Sequence, residues 1–86
     1  MRLVLSAPVS VLLLSDSTNG QATPLRLRWD GRSHPIVRVG LHHTYRRGRV
    51  LIHVYSVTTE AAFYRIELDS EALTWALVEI SDGLPD

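Results

Sequence analysis

The chain has 86 residues, 45% of them hydrophobic, with nine arginines, no lysine, no cysteine and a formal net charge of +0. That length supports one domain with a modest core, and the hydrophobic content excludes a disordered chain. The missing cysteines exclude disulfides and thiolate metal sites and fit a reducing, cytoplasmic setting. An all-arginine set fits a GC-rich genome, and it also supplies planar, bidentate contacts that lysine does not.

The opening residues, Met1-Arg2 followed by Leu3–Leu5 and Val9–Leu14, share the outline of a signal peptide. Pro8 and interspersed serines break the apolar run, a single basic residue precedes it, and no small-x-small cleavage site follows, so these residues are expected to belong to the domain. No stretch reaches the ~18 apolar residues of a membrane-spanning helix.

Val9, Val11 and Leu13 alternate with Ser10, Leu12 and Leu14, which predicts a first strand. Ser15–Pro24 reads as a polar loop with an Asn19-Gly20 turn. Leu25–Trp29 alternates apolar and basic residues and turns at Asp30-Gly31, a pair suited to the two positive φ values of a type I′ hairpin. A third strand is expected from about Ser33 to Tyr45, opening at His34-Pro35, where proline is tolerated. Arg46–Arg49 forms the next turn, Val50–Val57 the fourth strand and Ala61–Leu68 the fifth. The last element admits two readings. Ser70 can cap a helix with Ala72, Leu73, Ala76, Leu77 and Ile80 on one face, whereas Thr74, Trp75, Val78 and Ile80 prefer a pleated surface and favour a strand. Ser81–Asp86 reads as a polar tail. The expected fold is one all-β domain over residues 1–86. It is a small antiparallel, barrel-like (SH3-like) or strongly bent sheet of about six strands. Its expected core is Val11, Leu27, Trp29, Val37, Val39, Ile52, Val54, Tyr64, Ile66 and Leu77.

With Arg47-Gly48 as the central turn residues, His42 faces His53, Tyr45 faces Val50 and Arg38 faces Val57. One hairpin face then carries Val37, Val39 and Leu41 against Val50, Ile52 and Val54. The other carries Arg38, His42, Thr44, His53 and Tyr55. Two imidazoles on neighbouring strands can begin a metal site, but only His34 or a distant carboxylate could add a third ligand. No metal and no cofactor are therefore expected. No nucleophile elbow, phosphate loop or tuned carboxylate pair occurs either, so a non-catalytic binding module is expected.

Charge is segregated along the chain. Between Gln21 and His53, Arg26, Arg28, Arg32, Arg38, Arg46, Arg47 and Arg49 stand against Asp30 alone, a balance of +6. From Val54 onward, Arg65 stands against Glu60, Glu67, Asp69, Glu71, Glu79, Asp82 and Asp86, a balance of −6. The candidate nucleic-acid surface is Arg26, Arg28, Arg38, Arg46, Arg47 and Arg49, with Tyr55 as a stacking platform. Two considerations oppose it: opposite charges on neighbouring strands can pair internally, and an acidic half repels phosphate. The alternative is a protein-interaction or structural domain acting through its sheet edges. A homodimer is also expected, because β-face residues Leu12 and Leu14 are apolar opposite the apolar Val9, Val11 and Leu13.

The whole pattern resembles a small bacterial all-β domain family of uncharacterised role, related to a C-terminal segment of Y-family-polymerase-like mutagenesis proteins. The resemblance is carried by Ala7-Pro8-Val9, Leu27-Arg28-Trp29-Asp30-Gly31-Arg32, Val37-Arg38-Val39, Phe63-Tyr64-Arg65-Ile66-Glu67-Leu68 and Trp75-Ala76-Leu77. Leu41-His42-His43-Thr44-Tyr45 stands where such domains carry a tryptophan. The resemblance implies a β domain connected with DNA damage tolerance and brings no catalytic residues.

Overall fold

The computed structural model describes residues 2–82. Residues 83–86 of the expected tail lie outside the described residues. The period-two segments become six strands: β1 (Arg2–Asp16), β2 (Gln21–Trp29), β3 (Arg32–Arg47), β4 (Val50–Thr59), β5 (Phe63–Asp69) and β6 (Thr74–Ser81). Each pairs antiparallel with the next, and β6 pairs with β1, so the sheet closes into a barrel whose strand order is the chain order. The last element is a strand, as its β-branched and aromatic residues favour, and no helix occurs among the described residues.

The interior is filled from all six strands. Leu27, Tyr55, Val57, Tyr64, Ile66 and Leu77 are buried, with Val9, Val11, Trp29, Val39 and Trp75 among the half-buried residues around them. Alternation slips at irregularities in pairing near Leu25, Val37, Gly40-Leu41 and Val78. Such bulges bend a strand and increase its twist, which lets six short strands close. They also correct part of the expected core. Val37 is the extra residue between Ile36↔Thr59 and Arg38↔Thr58, and it is 68% exposed. Ile52 and Val54 are buried as expected, on the side of β4 away from the central cluster. Tyr55 and Val57, expected outside the core, sit at its centre.

Turn chemistry sets the registers. Asp30 (φ 54°) and Gly31 (φ 74°) both lie in the left-handed region, as a type I′ turn requires. Gly48 (φ 63°) is the first of two central turn residues, with Arg49 the second. This is the glycine position of a type II′ turn. The expected Arg47-Gly48 turn is thus displaced by one residue: Arg47 pairs with Val50, Thr44 with His53 and His42 with Tyr55. Because paired numbers change by two in sum, His42, Thr44, His53 and Tyr55 still share a face.

The β1–β2 and β5–β6 connections are built alike. The Asp16 carboxylate accepts the backbone N–H and hydroxyl of Thr18, and the Asp69 carboxylate accepts the N–H groups of Glu71 and Ala72. Gly20 N–H donates to the Asp16 carbonyl at 2.9 Å, and Leu73 N–H to the Asp69 carbonyl at 2.8 Å. The closing residue is left-handed in both loops, φ 69° at Gly20 and 58° at Leu73. Glycine adopts that conformation without strain; a leucine side chain does so at a cost of about 1–2 kcal/mol. Leu73 is 73% exposed, so its side chain returns little by packing. Leu73→Gly is expected to stabilise the fold by about 0.5–1 kcal/mol, the strain relieved less the chain entropy that glycine adds to the unfolded state. Urea unfolding should show a higher midpoint with an unchanged slope.

Candidate functional site

The barrel is not closed evenly. The β2–β3 ladder runs only from Trp29↔Arg32 to Arg26↔Pro35, whereas β3 pairs with β4 from Ile36↔Thr59 to Arg47↔Val50. Pro35 has no N–H to continue a ladder. Beyond it the Gln21–Leu25 stretch of β2 pairs with β1, the Ile36–Arg47 stretch of β3 pairs with β4, and a cleft separates the two. A cavity of about 470 Å³ occupies this cleft, bounded by Ala22 and Thr23 on the β2 side and by Val39, His42, His53 and Tyr55 on the other. The Tyr55 hydroxyl bridges it at depth, donating to the Ala22 carbonyl at 3.4 Å. That carbonyl therefore points away from β1. By strand alternation the nitrogen of Pro24 also faces the cleft, where its missing N–H breaks no ladder bond.

Three aromatic rings lead from the core to the cleft mouth. Trp75 packs tilted against Tyr55 with centroids 5.7 Å apart, and His42 lies parallel on Tyr55 at 4.2 Å with 4° between planes. Tyr55 is only 4% exposed, which corrects its expected role as a stacking platform. Its ring is covered, and the ring displayed to solvent is that of His42. Burial pushes the Tyr55 hydroxyl pKa up. His42 Nε2 and His53 Nδ1 are 3.0 Å apart, with ring centroids 5.3 Å apart and planes 24° from parallel. The centroids are nearly as far apart as that N···N contact allows, so the rings meet edge to edge and each nitrogen faces the other. The contact is a hydrogen bond carrying one proton, and the two lone pairs do not converge on a common point as metal ligands do. Among the described residues no group of three histidine, aspartate or glutamate side chains is placed to hold a metal ion.

The basic residues occupy one sector of the wall. Arg26 and Arg28 project from β2 beside Leu12 and Ser10 of β1, and Arg26 donates to the Ser33 hydroxyl at 2.9 Å. Arg38 is exposed on β3 opposite Thr58. Arg46 lies on the His42–Thr44 face of the hairpin and donates to the Arg49 carbonyl at the turn at 3.3 Å. None of these, nor Arg49, makes an ion pair with a carboxylate among the described residues. Arg47 differs from them. It lies on the opposite hairpin face, 3.0 Å from the Glu67 carboxylate, donates to the Tyr45 hydroxyl at 2.7 Å and sits 5.8 Å from that ring's centre. Tyr45 in turn donates to Glu67 at 2.9 Å. Burial, then the neighbouring Glu67, raises the Tyr45 pKa. This cluster is flanked by Ile52 and Val54, which face Tyr45, His43, Glu67 and Asp69 across the strands, and it explains why those two residues are buried on the outside. Arg47 is thus occupied, and Arg65 likewise pairs with Glu79 at 3.4 Å.

The sequence pattern missed the cleft and its His42–Tyr55 stack. The available signal was the pair of prolines, Pro24 and Pro35, on strands that would otherwise have zipped together. No family model, curated protein or solved structure matches the chain.

Partial burial, then the neighbouring His53 and His43, holds the His42 imidazole below its usual pKa. The folded state therefore binds a proton at His42 less readily than the unfolded chain does. Stability contributed by the neutral ring is present above the unfolded value, about 6.5, and is lost as pH falls through and below it. His42→Asn is expected to flatten the decline in urea midpoint between neutral and mildly acidic pH. An unchanged decline would assign it to other groups.

Proposed function

We propose that this domain is a non-catalytic binding module for nucleic acid, held mainly through its basic sector. The observation that carries the reading is the set Arg26, Arg28, Arg38, Arg46 and Arg49, gathered on β2, β3 and the β3–β4 turn without carboxylate partners among the described residues. Arg47 is left out of the contact set because Glu67 holds it. Guanidinium groups form bidentate bonds to phosphate, and counterion release makes such binding steeply salt-dependent. The implied connection with DNA damage tolerance is compatible with a module of this kind. Fluorescence anisotropy with single-stranded and duplex oligonucleotides at low salt tests it. For a single strand, four or five phosphate contacts give a log–log salt slope of about −3. Arg26→Ala with Arg28→Ala should reduce that slope by about 1–2. Absence of binding at tens of micromolar protein would point to a protein partner instead.

A second reading, self-association, is favoured by a separate feature. Leu12 and Leu14 on the outside of β1 are 59% and 53% exposed, with Leu25 of β2 beside them. Neither the β1–β2 loop nor β6 covers them. A second copy presenting the same face would bury this apolar band in an isologous contact. Light scattering should then give about twice the 9.7 kDa chain mass. Leu12→Lys with Leu14→Lys should give a folded monomer that still binds oligonucleotides. A monomeric wild type at ~100 µM would sink the dimer without touching the nucleic-acid reading.

A further inference from the structure

We infer that the cleft between β2 and β3 seats one unpaired nucleobase, stacked on the open face of the His42 ring, so that the preferred partner is a single strand. The inference rests on the nucleic-acid reading above and adds where a base goes and which residue receives it. The column Trp75–Tyr55–His42 runs from the core to the cleft and ends in an exposed residue whose ring is covered by Tyr55 on one face. Its next position is open, and a flat heteroaromatic ring continues it. The platform is fixed in advance from two directions: Tyr55 is tied to the Ala22 carbonyl, and the His42 edge is tied to His53. Ordering a platform before the ligand arrives removes a cost of binding.

The remaining walls suit a base. The cavity of about 470 Å³ has room for a single planar ring system together with water. Gln21 and Thr23 stand at its rim. Arg46 shares the His42 face four residues further along β3. At a strand rise near 3.3 Å per residue that is about 13 Å, placing a guanidinium beside a chain that passes through the cleft. A paired base cannot reach His42 without leaving its stack, which costs a few kcal/mol. Unpaired strands therefore gain from the site and duplexes do not.

An extended peptide is the competing occupant of a gap between strands, and the β2 edge opposes it. The Ala22 carbonyl already accepts the Tyr55 hydroxyl, and Pro24 has no N–H to give. A peptide strand would find a broken ladder there.

The test compares a labelled mixed-sequence single strand, the same strand carrying abasic sites, and its duplex, each titrated by anisotropy with wild type, His42→Ala and His42→Phe. The single strand should bind wild type about tenfold more tightly than the abasic strand, and His42→Ala should lose about tenfold on the single strand alone. His42→Phe should recover most of that loss, since it keeps the stack and gives up only the bond to His53. His42 is exposed, and the circular-dichroism spectrum of each variant checks that the barrel is intact. Equal binding of intact and abasic strands by wild type overturns the inference and leaves the basic-sector reading standing. So does His42→Ala behaving as wild type. Failure of every oligonucleotide to bind overturns both.

Discussion

The architecture depends on where β2 and β3 stop pairing. Had their ladder continued past Arg26↔Pro35, Ala22 and Thr23 would have zipped onto β3, and Tyr55 would have been sealed inside an ordinary small barrel. Instead the ladder ends at a residue with no N–H, and the two strands diverge. A side chain closes the gap in place of a backbone: the Tyr55 hydroxyl meets the Ala22 carbonyl that a β3 amide would otherwise have met. One weak bond from a buried ring thus substitutes for several ladder bonds, and the space above it becomes a cleft. The same divergence leaves the distal half of β3 supported by β4 alone, so residues 40–49 are all exposed.

That distal hairpin is held by chemistry on both of its faces. On one face His42 stacks on Tyr55 and bonds His53, which anchors it to the core. On the other, Tyr45 and Arg47 share the Glu67 carboxylate and shelter Ile52 and Val54. An exposed ion pair such as Arg47–Glu67 contributes only about 0–1 kcal/mol by itself. Its larger consequence is the covering of two buried aliphatic side chains, each worth about 1.5–3 kcal/mol when fully removed from water. The guanidinium here works chiefly as a planar lid, which separates Arg47 physically from the arginines of β2, β3 and the turn that have no carboxylate partner among the described residues.

Much of the barrel is legible in the sequence, because two local signals carry it. Strict alternation marks the strands, and Asp30-Gly31 marks the type I′ turn that the structure contains. The errors arise where one residue more or less decides the outcome. A glycine at the first central turn position instead of the second moves the β3–β4 partners from His42↔Tyr55 to Arg47↔Val50, and an extra residue at Val37 turns an expected core valine to solvent. Bulges have no distinct composition when their residues are Val, Leu or Gly, as at Val37 and Gly40-Leu41, so alternation alone passes through them unseen. Parity places Tyr55 on the wet face because its neighbours His42 and His53 are polar. The face is indeed shared, but the barrel curls around it, and its tyrosine end is core while its histidine end is mouth. The two leucines Leu12 and Leu14 show the opposite case. Their outward direction is readable from parity in β1, and both stay exposed among the described residues.

Apart from the Arg47–Glu67 pair, the opposing halves of the charge lie on different parts of the wall. Around the barrel, β2 and β3 carry arginines, β5 and β6 carry carboxylates, and the intervening β4 has no aspartate, glutamate or arginine at all. Along β1, between the terminal Arg2 and Asp16, the other separating strand is equally uncharged. The molecule measures 34 × 30 × 25 Å, so opposite walls are separated by more than the ~8 Å Debye length at physiological salt. A phosphate against β2 and β3 is attracted by the near arginines and is largely screened from the far carboxylates. Zero net charge therefore limits long-range steering more than it limits contact affinity. The bias it leaves is orientational: the field around the barrel is positive beside β2 and β3 and negative beside β5 and β6.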